Sequence, residues 1–218
     1  MSVRIKPDRP SKLIGERALI ARPSGPTANS LWEPNRAYFA LVERLNELRR
    51  SQPSLSVAFT SVLPGEGVTY VVDALTRELA RQSGDRVVSV PVSELKKNDS
   101  LDAFLQDDAS EILPELWREE GPESWNEPES TPLERHLNVL RKRFDYVLVN
   151  CPSLKQSTDA LVVGKHCAGV CLVVAAGKTT RNQIQGALTT MALASVPVLG
   201  FVLNKRTYPV PEFIYKFL

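Results

Sequence analysis

The segment Ser61 to Tyr70, SVLPGEGVTY, sets Gly65, Gly67 and Thr69 at the spacing of a phosphate-binding loop. In such a loop the backbone N–H groups at a helix N-terminus point at anionic oxygens, and glycines let the chain come close to them. A lysine ordinarily adds a point charge, and a Ser or Thr hydroxyl holds a metal ion. Thr69 supplies the hydroxyl, but Val68 stands where the lysine belongs. A branched alkyl group offers a triphosphate no donor and sets apolar surface against it. Transition-state donors contribute roughly 3 to 4 kcal/mol each, so phosphoryl transfer through this loop is expected to fall by about two to three orders of magnitude or more. Pro64, Gly65, Glu66, Gly67, Val68, Thr69 and Tyr70 are the residues expected to face any nucleotide or phosphate.

A second stretch, GKTT at Gly177 to Thr180, does carry a lysine, Lys178. Only Ala175 and Ala176 separate it from the apolar run before it, and no glycine lies upstream to let a loop wrap a phosphate, so it reads as structural. His136 and His166 lie far apart in helical stretches and imply no catalytic triad. The three cysteines, with Cys167 and Cys171 lacking histidines at ligand spacing, imply neither a disulfide framework nor a zinc site. No metal site is expected from these residue types.

The elements that must hold the loop can be read on both sides of it. SVAFTS runs straight into PGEG as a short buried strand, and TYVVDALTRELARQ follows with apolar residues at helical spacing up to Gly84, which can close a helix in the left-handed conformation. RVVSVPV reads as the next strand. Further on come a helix in ERHLNVLRKRF, a strand in DYVLVN, a helix from about Gln156 to Lys165, a strand in GVCLVVAA, a helix in RNQIQGALTTMALA and a last strand in VPVLGFVLN. Ahead of the loop, EPNRAYFALVERLNELRR sets Ala37, Leu41, Leu45 and Leu48 on one helical face. Strands that are apolar throughout and alternate with helices predict an α/β fold with a mostly parallel sheet covered by helices on both faces.

Residues 1–30, punctuated by Pro7, Pro10, Pro23 and Pro26 among basic residues, read as an extended arm, and 31–218 as a single domain. An acidic region at about 99–134, from Asp99 to Glu134, reads as a short helix and a mobile surface loop. The chain of 218 residues is 43% hydrophobic and 24% charged, which suits a globular protein, and no apolar run is long enough to span a bilayer. No apolar stretch of a secretory signal follows the first basic residues, so the cytoplasm is the expected location. A net charge of +2 gives no argument for nucleic acid.

Strand, PGEG loop and helix, followed by RFDYVLVNCPSL, DALVVGKHCAGVCLVVAAGKTTRNQIQGAL and VPVLGFVLN, resemble the cytoplasmic domain of bacterial tyrosine kinases. The likeness runs from about Glu33 to Asn204, and AGKTTRNQ is its most family-specific part, since partitioning ATPases share only the wider P-loop NTPase fold. The resemblance implies a P-loop NTPase domain that uses ATP and Mg²⁺ and serves capsule and exopolysaccharide synthesis and export. It also implies a membrane chain-length or polysaccharide co-polymerase protein as partner, with recruitment to the inner face of the membrane.

Carried over residue by residue, the family pattern departs at three places. The loop lysine is Val68; the strand after the loop helix has Pro91 and Ser93 where two aspartates are expected; and the late strand has Asn150, Cys151, Pro152 and Ser153 in place of DTPP. A neutral amide cannot fix magnesium as a carboxylate does. Asn204 matches the asparagine that faces the adenine in related ATPases. The E-x-x-R-x-x-R pattern of ring assembly has Glu33 and Arg36 but Phe39 for its last arginine, so a homo-oligomer is implied incompletely. The C-terminal tyrosine cluster is reduced to Tyr208 and Tyr215. The expectation is a catalytically degenerate relative of polysaccharide tyrosine autokinases, an adaptor rather than an enzyme, with no cofactor and at most weak ATP or phosphate binding. Two alternatives stay open: a divergent ATP-binding kinase or ATPase that borrows a lysine from elsewhere, and a nucleotide sensor that does not hydrolyse. A Lys or Arg side chain in contact with the PGEG loop is the observation the first alternative requires.

Overall fold

The computed structural model describes residues 19–21, 36–97 and 131–205. The runs that are apolar throughout become the centre of the molecule. β2 (Leu55–Ser61) and β5 (Val170–Ala175) are buried at every position, and β4 (Tyr146–Asn150) and β3 (Val87–Pro91) are buried at all but the last. With β1 (Leu19–Ala21) and β6 (Val198–Asn204) they form one sheet in the order β1-β3-β4-β2-β5-β6. The five strands from β3 to β6 run parallel, and β1 is antiparallel to β3. The α/β architecture expected from the alternating strand and helix patterns is therefore the one observed.

Alternation along the strands divides the core into two layers. Leu55, Val57, Phe59, Tyr146, Leu148, Cys171 and Val173 point to the side covered by α1 (Arg36–Arg49) and α2 (Val68–Ser83), where Val42, Leu45, Val71, Val72, Leu75 and Leu79 meet them. Ala58, Val88, Val90, Val147, Val149, Leu172 and Val174 point to the other side. That side is covered by α3 (Val92–Leu95), α4 (Pro132–Arg143), α5 (Asp159–Gly164) and α6 (Arg181–Leu193). Both long helices of that layer begin with a capping box, Thr131 with Glu134 and Thr180 with Gln183, each satisfying two end donors reciprocally.

Four details depart from the sequence reading. Within the segment read as an arm, Leu19–Ala21 pairs with β3 and forms that edge of the sheet. The stripe of α1 is rotated: Val42 and Leu45 are fully buried, whereas Leu41 and Leu48 are only partly so. The strand read as RVVSVPV, through Val92, stops at Pro91, which has no N–H for a ladder, and Val92 opens a turn of helix. The helix expected from Gln156 starts at Asp159, because the Ser157 hydroxyl accepts the Asp159 N–H (3.1 Å) and holds the chain in a turn just before it. The acidic region from 99 to 130, the arginine-pattern residue Glu33, the Arg36 side chain, and Tyr208 and Tyr215 lie outside the described residues.

At the N-terminal ends of the strands, Asp145 ties three elements together. Its carboxylate accepts from the Arg49 guanidinium (2.9 Å) on α1 and from the Arg86 backbone N–H (2.9 Å) and guanidinium (3.3 Å) just before β3. Burial works to raise its pKa, but the hydrogen bonds from Arg86 and the charges of Arg86 and Arg49 outweigh burial and hold it below the usual carboxylate range. A depressed folded pKa contributes stability that is complete above the unfolded value of about 3.9 and is lost as pH falls through the folded one. Asp145→Asn is accordingly expected to lower the unfolding midpoint by a constant amount at neutral pH. The gap to the parent should close as pH falls below about 4, as urea titrations across a pH series would record.

Candidate functional site at the C-terminal ends of the strands

Parallel sheets place ligand sites outside the carboxyl ends of their strands, and the PGEG loop lies at that end, between β2 and α2. Gly65 and Gly67 both take positive φ, 74° and 92°, which lets the chain turn from strand into helix. A Cβ on Gly67 would come within 2.3 Å of the Asn204 amide nitrogen, so the position is closed to side chains sterically as well as conformationally.

Glu66 is fully buried in the middle of this loop. One carboxylate oxygen accepts the Leu63 N–H (2.8 Å); the other accepts the Ala175 N–H (3.1 Å) and the Thr179 hydroxyl. The carboxylate thus holds the loop to the end of β5 and to the GKTT turn. Asn204, at the end of β6, donates its amide to the Glu66 carbonyl (2.8 Å) and accepts the Lys205 N–H (2.8 Å). Two ammonium groups reach the loop as well: Lys178 lies 3.3 Å from the Pro64 carbonyl and Lys205 lies 2.6 Å from the Gly65 carbonyl.

The cleft in front of the loop has a volume of about 370 Å³. The residues singled out from the sequence converge on it: Pro64, Gly65, Glu66, Gly67, Val68 and Thr69 from the loop, Pro91 and Ser93 beyond β3, and Asn150 at the end of β4. Tyr70 is 56% exposed; neither it nor Asn204 is among the residues lining the cleft. The asparagine expected to face adenine donates its amide to the loop backbone. Val68 leans partly onto the core layer beneath α1 and α2. The Asn150 amide donates to the Thr69 hydroxyl at 2.9 Å. The backbone beyond β4 is fixed by the Thr60 hydroxyl donating to the Pro152 carbonyl (2.5 Å) and by the Leu154 N–H donating to Ser61 (2.8 Å).

Sequence reasoning missed two participants and misread a third. Asp159 lines the cleft from the start of α5 and is paired there with Lys96 at 2.6 Å. Its place at the first turn of a helix directly after NCPSLKQST was the available signal. Lys205 follows Asn204 in sequence but only the turn after β6, where Lys205 takes φ 57°, aims it at the loop. Glu66 was counted as a nucleotide-facing residue, whereas its carboxylate is wholly turned inward. GKTT does not wrap a phosphate: Thr180 caps α6, Thr179 bonds Glu66 and Lys178 caps a loop carbonyl.

The histidines and cysteines stay outside this chemistry. His136 is buried with its Nδ1 3.0 Å from the Leu95 carbonyl, and His166 lies 3.4 Å from Glu134. Burial pushes the Cys171 thiol up to about 12 and Cys151 well above its ordinary value, so neither offers a thiolate. Among the described residues, no group of three or more His, Cys, Asp or Glu side chains is gathered so as to hold a metal ion, and no helix is long and apolar enough to cross a membrane.

A glycine loop between the first parallel strand of the core and its helix, backed by strands in this order, defines a P-loop NTPase type of α/β domain. The chain is similar to bacterial tyrosine-protein kinases. It is 30% identical over 77 residues to the tyrosine-protein kinase CpsD of Streptococcus agalactiae, a match that covers 35% of this chain and 33% of that protein. The chain therefore spans about a third of the length of the CpsD relatives it matches. A longer match, 24% identical over 176 residues, covers 69% of the chain and 72% of the tyrosine-protein kinase YwqD of Bacillus subtilis. Among solved structures, the VpsO kinase domain shares the fold with a TM-score of 0.57 at 18% identity, over 79% of this chain and 94% of that one. The kinase domain of the Escherichia coli tyrosine kinase ETK does so with a TM-score of 0.53 at 20% identity, over 88% and 92%. No protein-family model matches the chain.

Proposed function

We propose that this chain is a non-catalytic adaptor on a tyrosine-kinase fold. In this reading it serves exopolysaccharide or capsule synthesis and export at the inner face of the membrane, where it docks a membrane chain-length protein. The observation that carries the reading is the hydrogen bond from Asn150 to Thr69. In a working site of this type a hydroxyl and a carboxylate hold a magnesium ion between them through oxygen lone pairs. Here an amide N–H is turned on the hydroxyl from 2.9 Å, so one partner presents a proton rather than a lone pair and the space between them is taken. The residues present do not fit magnesium, and no step of phosphoryl transfer is derived through it.

The electrostatics of the cleft support the same reading. No Lys or Arg is among the described residues that line it, and its carboxylates, Glu66 and Asp159, are committed to Thr179 and Lys96. A triphosphate would enter a cleft with backbone dipoles but no counter-charge on its walls, and buried charges need pairing. The expected result is that ATP, with or without magnesium, leaves the unfolding midpoint unchanged and gives no heat by calorimetry. Magnesium-dependent stabilisation by ATP, or tyrosine autophosphorylation lost in Thr69→Val, would overturn the adaptor reading.

A second reading, ATP binding that borrows a lysine, is favoured by the contacts of Lys178 and Lys205 with the loop. Both ammonium groups are bonded to loop carbonyls and neither lysine is among the residues lining the cleft, which is why it ranks second. ATP binding abolished by Lys178→Ala or Lys205→Ala would establish it, and binding of ATP without hydrolysis would make the chain a nucleotide sensor.

A further inference from the structure

At the end of the sheet opposite the phosphate loop lies a larger cleft of about 890 Å³, between one face of α4 and the segments that lead into β2, β3 and β5. Arg135, Asn138, Val139 and Lys142 line it at the three-, four- and seven-residue spacing of a single helix face. Arg86 and Arg141 add to its basic character, against a single carboxylate among the lining residues, Asp145. Most of these charges are already engaged. Arg86 pairs with Asp145; Arg141 donates to Ser56 (3.0 and 2.8 Å) and to the His166 carbonyl; His166 faces Glu134. Two are not. The Arg135 Nε is buried with no hydrogen-bond partner among the described residues, and the exposed Lys142 ammonium has none either.

We infer that this cleft is a docking site for an acidic peptide segment of a partner protein. Arg135 and Lys142 are seven residues apart, so they stand about 10 Å apart along the helix. An extended peptide rises about 3.3 Å per residue, so carboxylates two to four residues apart, spanning about 7 to 13 Å, match that separation. Pro53 and Val139 give the cleft apolar walls for the residues between those carboxylates, and no glycine loop lines it to wrap a phosphate. The guanidinium of Arg135 is suited to a forked bond with a carboxylate. The site shares no residue with the nucleotide cleft and stands whether or not that cleft binds ATP.

The test uses the full chain and a fluorescein-labelled peptide with glutamates at every second position and leucine or serine between them, read by fluorescence anisotropy. Binding is expected at low salt. It should weaken by about tenfold or more in Arg135→Gln/Lys142→Gln, equivalent to roughly 1.4 kcal/mol or more, and by a smaller factor in Lys142→Gln alone, whose exposed side chain can be changed without touching the core. Arg77→Gln/Arg181→Gln removes the same charge from exposed positions elsewhere and is expected to change affinity less than about twofold. No binding of the peptide, an equal loss in both double variants, or displacement of the peptide by inorganic phosphate would overturn the inference.

Discussion

Val68→Lys combined with Asn150→Asp is expected to give a chain whose unfolding midpoint rises by about 5 to 10 °C at saturating Mg-ATP, where no shift is expected for the parent. A ligand present at a hundred times its Kd adds about 2.7 kcal/mol, and each kcal/mol moves the midpoint of a chain of this size by about 2 to 4 °C. The backbone needed for the gain is in place: Gly65 and Gly67 already hold the loop in its positive-φ turn and α2 already starts at residue 68. The fold should tolerate both changes. Val68 is only partly packed on the core, and the Thr69 hydroxyl, which accepts from Asn150, can rotate to donate to a carboxylate instead. The shift should vanish without magnesium and be small in either single variant. Autophosphorylation should stay at background, because Pro91 and Ser93 still occupy the aspartate positions. If the double variant behaves like the parent, the side chains are not what separates this loop from an ATP cradle, and the adaptor reading loses its physical basis.

Glu66→Ala is expected to lower the unfolding midpoint by on the order of 10 °C, the largest loss for any substitution in the loop. The carboxylate accepts from Leu63, Ala175 and Thr179, and its removal strands the Leu63 N–H and the Thr179 hydroxyl and leaves the Ala175 N–H only its longer bond to the Thr179 oxygen (3.3 Å), in a site where the side chain has no solvent exposure. Hydrogen bonds to a charged group contribute about 1.5 to 3 kcal/mol, and each stranded donor costs about 1 to 3 kcal/mol, so a total of about 3 to 5 kcal/mol is the expectation. Glu66→Gln keeps one acceptor oxygen but sets an NH₂ against a donor, and should fall between the two. Circular dichroism melts of the three proteins test this. A loss under about 2 °C for the alanine variant would mean that the staple contributes little and that the loop is held by Asn204 and the lysines alone.

The sheet and its two layers were legible because burial on both faces writes itself into the sequence as unbroken apolar runs, as in LSVAFTS and VCLVVA. The positions of Val68, Pro91, Ser93 and Asn150 around one cleft were legible because each sits at the end of such a strand or the start of its helix. What could not be read was assembled across the chain. Glu66 and Thr179 are 113 residues apart and Gly65 and Lys205 are 140 apart, so no local spacing announces their bonds. The basic cleft is similar: Arg135 and Lys142 are one helix face, but the cleft exists only because residues before β2, β3 and β5 stand opposite that face. β1 was hidden by the proline-rich stretch around it, where a strand of three residues leaves almost no pattern.

Gly67 carries a wider lesson about what loops of this shape tolerate. Its missing side chain makes room for Asn204, and the left-handed turn it allows launches α2, so any other residue there would disturb packing before it disturbed a ligand. Val68, one position on, is under no such constraint. Random substitution acting on this chain would be filtered at the glycine by folding alone and let through at its neighbour. A phosphate loop can therefore keep its outline long after its charge is gone, and a motif search that weighs the glycines will go on finding it.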